Sequence, residues 1–309
     1  MSNKNFTSWA EEYFYRPNLF QKFLSYLLSP LSIIYCLVGK IRRVVAKKED
    51  FGLPVISVGN LNVGGSGKTP FCIEISKEFE KVAIILRGYK RESKGLIVVK
   101  DWQNILCDVR TSGDEAMLYA TSTNALVIVS VDRIEAIQKA KEMGVKVVIL
   151  DDGFGKVNIK KFDILIYPNP APANNFCLPS GAYRESVSNY KNADLALHED
   201  VDFKRKTKIS NETKGMILVT AIANPARLDK YLPKSIKERF YFPDHYMYKK
   251  DELEKLLEKT GATSILTTRK DFVKIKDFGL NISILELEFE ISLHVKERIK
   301  NYINSYKNK

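Results

Sequence analysis

Beyond residue 54 the chain alternates short, continuous apolar runs with stretches whose apolar positions recur at helical spacing. The runs 54–58, 82–86, 96–99, 126–130, 145–150 and 162–167 predict strands, and 69–81, 114–122 and 133–143 predict helices between several of them. Strands apolar on both faces and separated by helices belong to a parallel sheet covered on both sides. A second block begins near Gly215, with strands at 216–220, 238–242, 263–267 and 282–289 and helices at 226–232, 251–259 and 293–306. The charged stretch 199–214 reads as an exposed connection between the blocks. The expected architecture is therefore α/β. A mostly parallel sheet flanked by helices occupies 49–205, and a smaller C-terminal α/β lobe occupies 206–309, its last helix having the option of returning to the core.

The N-terminal segment, 1–48, follows another pattern. Residues 23–38 contain no charge but are interrupted by Pro30, and the run falls short of the roughly 20 apolar residues that a spanning helix needs. No small-residue cleavage pattern follows, so it is not a typical secretory signal. After Pro30, residues Leu31, Ile34, Val38, Ile41 and Val45 recur on one helical face, with Lys40, Arg43 and Lys47 opposite. An apolar face with basic flanks predicts a helix lying in the cytoplasmic leaflet against anionic headgroups, the alternative being a helix packed on the protein's own core.

The most informative stretch is Val58-Gly-Asn-Leu-Asn-Val-Gly-Gly-Ser-Gly-Lys-Thr-Pro70, a Gly-rich turn between a predicted strand and a predicted helix. This is the arrangement of a phosphate-binding P-loop. Gly64, Gly65, Ser66 and Gly67 form the turn that aims backbone N–H groups at phosphate oxygens, and the following helix adds its positive dipole end. Lys68 is placed to reach the β- and γ-phosphates and Thr69 to hold Mg²⁺. Asn62 stands where the consensus has its first glycine, and Asn tolerates a left-handed backbone better than most residues.

The charge balance of the 309 residues is +12, which points to anionic partners: phosphates or a membrane surface. No basic run interleaved with aromatics marks a nucleic-acid binder. Cys36, Cys72, Cys107 and Cys177 are scattered without metal spacing, as are His198, His245 and His294, so a zinc enzyme is not expected and reduced thiols are. Nothing in the pattern calls for an oligomer, and a monomer is expected.

Four apolar residues from Val147 run into Asp151 and Asp152. Beside a P-loop this is the place for a strand that delivers a carboxylate to the metal held by Thr69. One of the two aspartates serves the metal while the other orients a neighbour. Gly113-Asp114-Glu115 opens a predicted helix, where carboxylates are ordinary dipole partners. Asp244-His245 follows the run Phe240-Tyr-Phe-Pro243, and Arg87-Gly-Tyr-Lys-Arg91 follows a strand and is basic enough to clamp a phosphate.

In order and spacing these motifs resemble the tetraacyldisaccharide 4′-kinases, the lipid A 4′-kinases of outer-membrane biogenesis. The resemblance spans most of the chain: the Pro30-Leu-Ser32 region, the loop from Gly59, Arg87-Gly-Tyr89, Gly113-Asp-Glu115, Asp132-Arg133, Asp151-Asp-Gly-Phe154, Arg184-Glu185, Ala223-Asn-Pro225, Phe242-Pro-Asp-His245 and the run from Thr267. It implies an ATP- and Mg²⁺-dependent phosphotransferase. Such an enzyme phosphorylates the 4′-hydroxyl of an acylated disaccharide 1-phosphate lipid at the cytoplasmic face of the inner membrane. It also implies that Asp114 and His245 form a catalytic dyad with Lys68 on the phosphates, and that Arg87, Arg91, Glu115, Arg184 and Glu185 meet the substrate. With His245 in the second lobe, lobe closure is expected to assemble the dyad. Where the family has Gln-His after the Asp-Asp-Gly-Phe run, this chain has Gly155 and Lys156. Ala116, Arg269 and the stretch Gly181-Ala-Tyr183 depart from the family as well. The rival reading, a membrane-bound P-loop switch or assembly factor, explains the loop and the basic helix but leaves Asp114 and His245 without a task.

Overall fold

The computed structural model describes residues 2–222 and 225–307, so Ala223 and Asn224 of the Ala-Asn-Pro motif lie outside it. In chain order the elements are α1 (Ser2–Tyr15), α2 (Leu19–Leu27), α3 (Ser29–Val45), β1 (Val55–Gly59), α4 (Lys68–Ser76), β2 (Val82–Leu86), β3 (Ile97–Lys100), α5 (Val109–Ser112), α6 (Asp114–Ser122), β4 (Leu126–Val129), α7 (Arg133–Glu142), β5 (Val147–Asp151), β6 (Phe162–Ile166) and β7 (Leu195–Leu197). They continue with β8 (Phe203–Ser210), β9 (Met216–Thr220), β10 (Arg239–Tyr241), α8 (Lys250–Thr260), β11 (Ser264–Thr268), α9 (Arg269–Ile275), β12 (Ile282–Ile291) and α10 (Leu293–Lys307). The α/β character and the mostly parallel pairing follow the apolar pattern.

The chain forms two compact units, and neither is a continuous stretch. One comprises 1–86, 132–204 and 291–309; the other comprises 87–131 and 205–290. A division at 205/206 therefore misses two exchanges. The segment 87–131 leaves the first block for the second, and α10 goes the other way.

In the first unit the strands lie side by side in the order β2, β5, β1, β6, β7. The four neighbouring pairs among them are parallel, and β1 is buried along its whole length. A central parallel strand has no solvent face, which is why Val55, Ile56 and Val58 need no polar alternation. Alignment of Val58 with Asp151 sets the ends of β1 and β5 level. Helix α10 belongs to this unit. The Tyr302 hydroxyl donates to Val55 O, and Lys296 and Lys300 pair with Glu78.

Helices α2 and α3 are inside out for a soluble protein. Their buried residues are polar: Gln21 and Ser25 on α2, and Ser32 on α3. Ser25 Oγ donates to Ser180 O, and Ser32 Oγ to Cys177 O. Meanwhile Phe20, Leu31, Ile34, Val38, Ile41 and Val45 are each more than half exposed. Arg43, expected on the outer basic flank, turns inward instead. Among the described residues no single helix is long and apolar enough to cross a membrane; α2 and α3 meet that test only together, bent by 54°.

The expectation of reduced thiols is corrected for two of the four cysteines. Cys36 of α3 and Cys177 form a disulfide with Cα atoms 6.2 Å apart, while Cys72 and Cys107 are not disulfide-bonded. The serine contacts just described bring α3 against the 177–180 segment, and the 141-residue separation hides that proximity in the sequence.

The second unit holds a sheet in the order β10, β9, β11, β12, β8, with β10/β9, β9/β11 and β11/β12 parallel, and also an antiparallel β3/β4 pair. The stretch expected as an exposed connection, 199–214, contains the edge strand β8. Ile217, Val219, Ile265 and Leu253 form its core with Tyr248. Helix α9 was not foreseen, and it packs against α6.

Candidate active site

The first unit carries the phosphate chemistry. The loop after β1 turns into α4 at Gly67, whose φ of +87° is a left-handed conformation that a side chain would strain. Lys68 opens α4, and Thr69 follows it in the first turn, where helix N–H groups lack internal partners. Asn62 contributes differently from expectation, for it is not among the residues with positive φ. Instead its side chain stiffens the loop. Its Nδ2 donates to the Tyr15 hydroxyl at 2.9 Å and its Oδ1 accepts from Asn60 Nδ2, while Tyr15 itself donates to Val63 O. Tyr15 and Asn60 were not singled out from the sequence, because only the fold brings α1 to the loop.

Asp151 ends β5, buried, and Asp152 follows with its N–H donating to Val58 O. The two aspartates thus sit beside the start of the phosphate loop. Asp152 adopts φ +52°, tolerable for Asp, and the next turn needs Gly153, where a Cβ would fall 2.6 Å from that of Leu150. Asp152 meets Arg184 through a two-pronged contact, Nη1 at 2.8 Å and Nη2 at 3.0 Å, and Lys68 Nζ lies 3.7 Å away. Asn60 Oδ1 accepts from both Lys68 (2.9 Å) and Arg184 (2.6 Å). Burial alone would raise the Asp152 carboxyl, but Lys68, Arg184 and Arg133 together pull it down to about 2. The carboxylate is therefore ionised at neutral pH and ready to accept a cation.

Arg184 and Glu185, assigned to substrate by resemblance, are engaged within the protein. Glu185 accepts from Arg43 Nε (2.6 Å) and from Asn189. The Arg43 guanidinium also stacks 3.9 Å from the centre of the Phe154 ring, and Arg42 donates to Gly155 O at 2.5 Å. The C-terminal end of α3 is thus fastened to the loop that follows the two aspartates.

The second unit carries the proposed dyad, already formed. His245 Nδ1 lies 3.0 Å from Asp114 Oδ2, both side chains more than nine-tenths buried. Because 87–131 and 205–290 belong to one unit, the dyad needs no lobe closure to assemble, contrary to expectation. Asp114 begins α6, and His245 holds a left-handed φ of +64° with its N–H donating to Ala221 O. A histidine tolerates this conformation better than most side chains, yet it persists only where the surroundings dictate it. Tyr89 stacks edge-on against the imidazole. Lys274 of α9 adds a third member, its Nζ 2.8 Å from the same Asp114 oxygen. Burial would raise the Asp114 carboxyl, but His245 and Lys274 more than offset this and hold it below the usual range.

Arg87 is exposed beside Tyr89, and Glu115 is half-buried in the first turn of α6. The Arg91 guanidinium donates to Val129 O and Gly95 O. Among the described residues no group of three or more His, Cys, Asp or Glu side chains forms a self-sufficient metal cage. Mg²⁺ is held by one or two carboxylates plus substrate phosphates and water, and the expected set of Thr69, Asp151 and Asp152 offers hard oxygens of that kind.

A phosphate loop after the first strand of a parallel sheet, a paired carboxylate at the next strand's end and a separate Asp–His pair define a phosphoryl-transfer protein of the P-loop class. The family model for tetraacyldisaccharide-1-P 4′-kinase matches residues 24–217 and 200–305. A tetraacyldisaccharide 4′-kinase of Helicobacter pylori is 50% identical over 299 residues, 96% of each chain, and one of Campylobacter jejuni is 48% identical over 304 residues, 98% of each. Among solved structures, LpxK from Aquifex aeolicus in complex with ATP superimposes with a TM-score of 0.76 at 26% identity, covering 91% of this chain and 99% of that one. The chain belongs to the tetraacyldisaccharide-1-P 4′-kinase family.

Proposed function

We propose that the protein transfers the γ-phosphate of ATP to the 4′-hydroxyl of a tetraacyldisaccharide 1-phosphate lipid A precursor, releasing ADP. The observation that carries this reading is the buried Asp114–His245 pair, for which a nucleotide switch has no use. Lys68 binds the β- and γ-phosphates, with the loop N–H groups cradling the chain. Thr69 and Asp151 or Asp152 would hold Mg²⁺, which would supply neutralisation of charge on the transferring phosphoryl group. Asp114 accepts the proton of the attacking hydroxyl, and His245 orients it. A depressed carboxylate is a weak base, which suffices because the transition state is loose and the proton leaves late. The family likeness of the relatives supports the lipid substrate.

The test uses the purified protein in detergent micelles with γ-labelled ATP, Mg²⁺ and the disaccharide 1-phosphate lipid. Label should appear on the lipid. Nucleotide binding without label transfer would favour the switch instead.

The same reading places the enzyme as a monomer on the cytoplasmic face of the inner membrane, through the apolar outer face of α2 and α3. A contiguous exposed apolar surface of this kind, flanked by Lys40 and Lys47, is what an interfacial helix presents. Ile34→Asp with Val38→Asp should abolish co-sedimentation with vesicles containing anionic lipid. Both side chains point away from the protein, so the variant should still fold and bind nucleotide. Undiminished vesicle binding would remove α3 from the membrane contact.

A further inference from the structure

Lys274 has no exposed side-chain surface, and a buried ammonium is costly unless it is fully partnered. Its Nζ lies 2.8 Å from Asp114 Oδ2 and 3.4 Å from Asp271 Oδ1, donates to Tyr246 O at 3.2 Å, and sits 5.9 Å from the centre of the Tyr248 ring. Asp271 is a fixed anchor. Its Oδ2 accepts from Thr220 Oγ1, Ala221 N and Thr268 Oγ1, which ties α9 to the ends of β9 and β11. Held from behind in this way, Lys274 aims its shortest contact at Asp114. His245 approaches the same oxygen, Oδ2, and Asp114 Oδ1 takes part in neither contact.

We propose that Lys274 is a positioning residue for phosphoryl transfer, gripping Asp114 Oδ2 together with the dyad's imidazole so that Oδ1 is presented to the acceptor hydroxyl in one orientation. The inference rests on the reading of Asp114 as the group that receives the hydroxyl proton. A lysine serving only to fill the core would be better replaced by methionine, and one serving only Asp271 would not need to reach Asp114. With two donors on one oxygen the carboxylate cannot rotate without breaking both bonds. A displacement of about 1 Å at a reacting group is enough to cost about 10²-fold in rate.

The ionisable groups around Asp114 fix the expected pH behaviour. His245 and Lys274 touch it directly; Asp271 lies behind Lys274; the Tyr248 phenol, pushed up by burial, faces both. Asp244 lies 3.4 Å from His245 Nε2 and is itself paired with Lys270, and Glu115 is the next residue on α6. Removing the Lys274 cation takes away one of the two groups that lower the Asp114 carboxyl. The acidic limb of kcat, set by protonation of Asp114, should therefore move to higher pH.

The experiment measures kcat, KM for ATP and the pH profile of label transfer in micelles for the full chain. The variants are Lys274→Met, Lys274→Arg, Asp114→Asn and the Lys274→Met/Asp114→Asn double. For Lys274→Met the expected result is a loss of about 10²-fold in kcat, with KM for ATP nearly unchanged, an acidic limb shifted upward, and no further loss in the Asp114→Asn background. Wild-type kcat with an unmoved limb, or an equal loss repeated on top of Asp114→Asn, would overturn the proposal. Lys274→Arg keeps the charge but relocates the donors, and it decides the question where Lys274→Met is too unstable to assay. A loss of about ten-fold at constant KM supports positioning, whereas a wild-type rate refutes it. Absence of transfer by the wild type would look different from any of these. It would sink the kinase reading and this inference with it.

Discussion

Lys68→Ala should fold, retain the melting behaviour of the parent to within a few degrees, and transfer no measurable label to lipid. The expected loss in kcat is about 10³-fold or more, the scale seen when a preorganised donor to developing negative charge is removed. The geometry explains why fold and activity separate here. Lys68 Nζ is held by Asn60 Oδ1 at 2.9 Å and only loosely by Asp152 at 3.7 Å, and Asp152 keeps its two-pronged contact with Arg184 when the lysine is gone. Asp152 is also 44% exposed, so solvent screens what remains. The ammonium therefore holds little of the fold together, and its position is explained by the phosphate it awaits. Lys68→Arg should fail as well, since a planar fork at the first residue of α4 cannot reproduce a point charge at the loop's centre. Full transfer by Lys68→Ala would remove the phosphate role from this loop.

The phosphate loop, the paired aspartates, Asp114 and His245 were legible in the sequence because each is a local pattern with a mechanical reason. Glycines make a turn, an apolar strand ends in a carboxylate, a carboxylate opens a helix. What stayed hidden depends on contacts between distant positions. Asn60 is an ordinary residue until the fold places Lys68 and Arg184 on one of its oxygens. Lys274 and Asp271 are three apart on a helix that the pattern did not foresee, and Asp114, which Lys274 meets, lies more than 150 positions earlier in the chain. Strand β8 shows how a sound rule misleads. Its residues, Phe-Lys-Arg-Lys-Thr-Lys-Ile-Ser, look like a solvated linker, yet they alternate in burial, and an edge strand is where charged side chains belong. The division into contiguous lobes failed for a similar reason, because nothing local marks the point where 87–131 changes partners.

The α3 helix was read correctly as amphipathic, and its orientation adds something periodicity could not supply. Arg42 and Arg43 connect it to Gly155, Phe154 and Glu185, next to Asp152 and Arg184. A Cβ at position 155 would point toward Arg42 Nη2 at 3.7 Å and Glu185 Oε1 at 3.8 Å. The departure from the family's Gln-His pair thus sits where this chain brings in an arginine from its N-terminal helix. At this position the loop that carries the aspartates is supported from α3.

Asp114→Asn should bind ATP as the parent does and transfer label about 10²–10⁴-fold more slowly, the range for loss of a positioned acid–base group. The substitution is nearly isosteric and keeps an oxygen for His245 and Lys274, so the fold should survive. The amide cannot take up the hydroxyl proton. The partner variant, His245→Ala, should cost less, because the imidazole orients Asp114 and is helped in this by Lys274. Members of one catalytic unit are not additive, so Asp114→Asn/His245→Ala should be no slower than Asp114→Asn alone. The wild-type profile carries the sign of the same arrangement. With Asp114 held below the usual carboxylate range, the enzyme should keep its kcat down to mildly acidic pH and lose it only as the carboxylate takes a proton. Transfer that survives Asp114→Asn at the parental rate would leave the phosphate half of the site standing and take the proton from this dyad. The base would then have to be sought among the side chains around it.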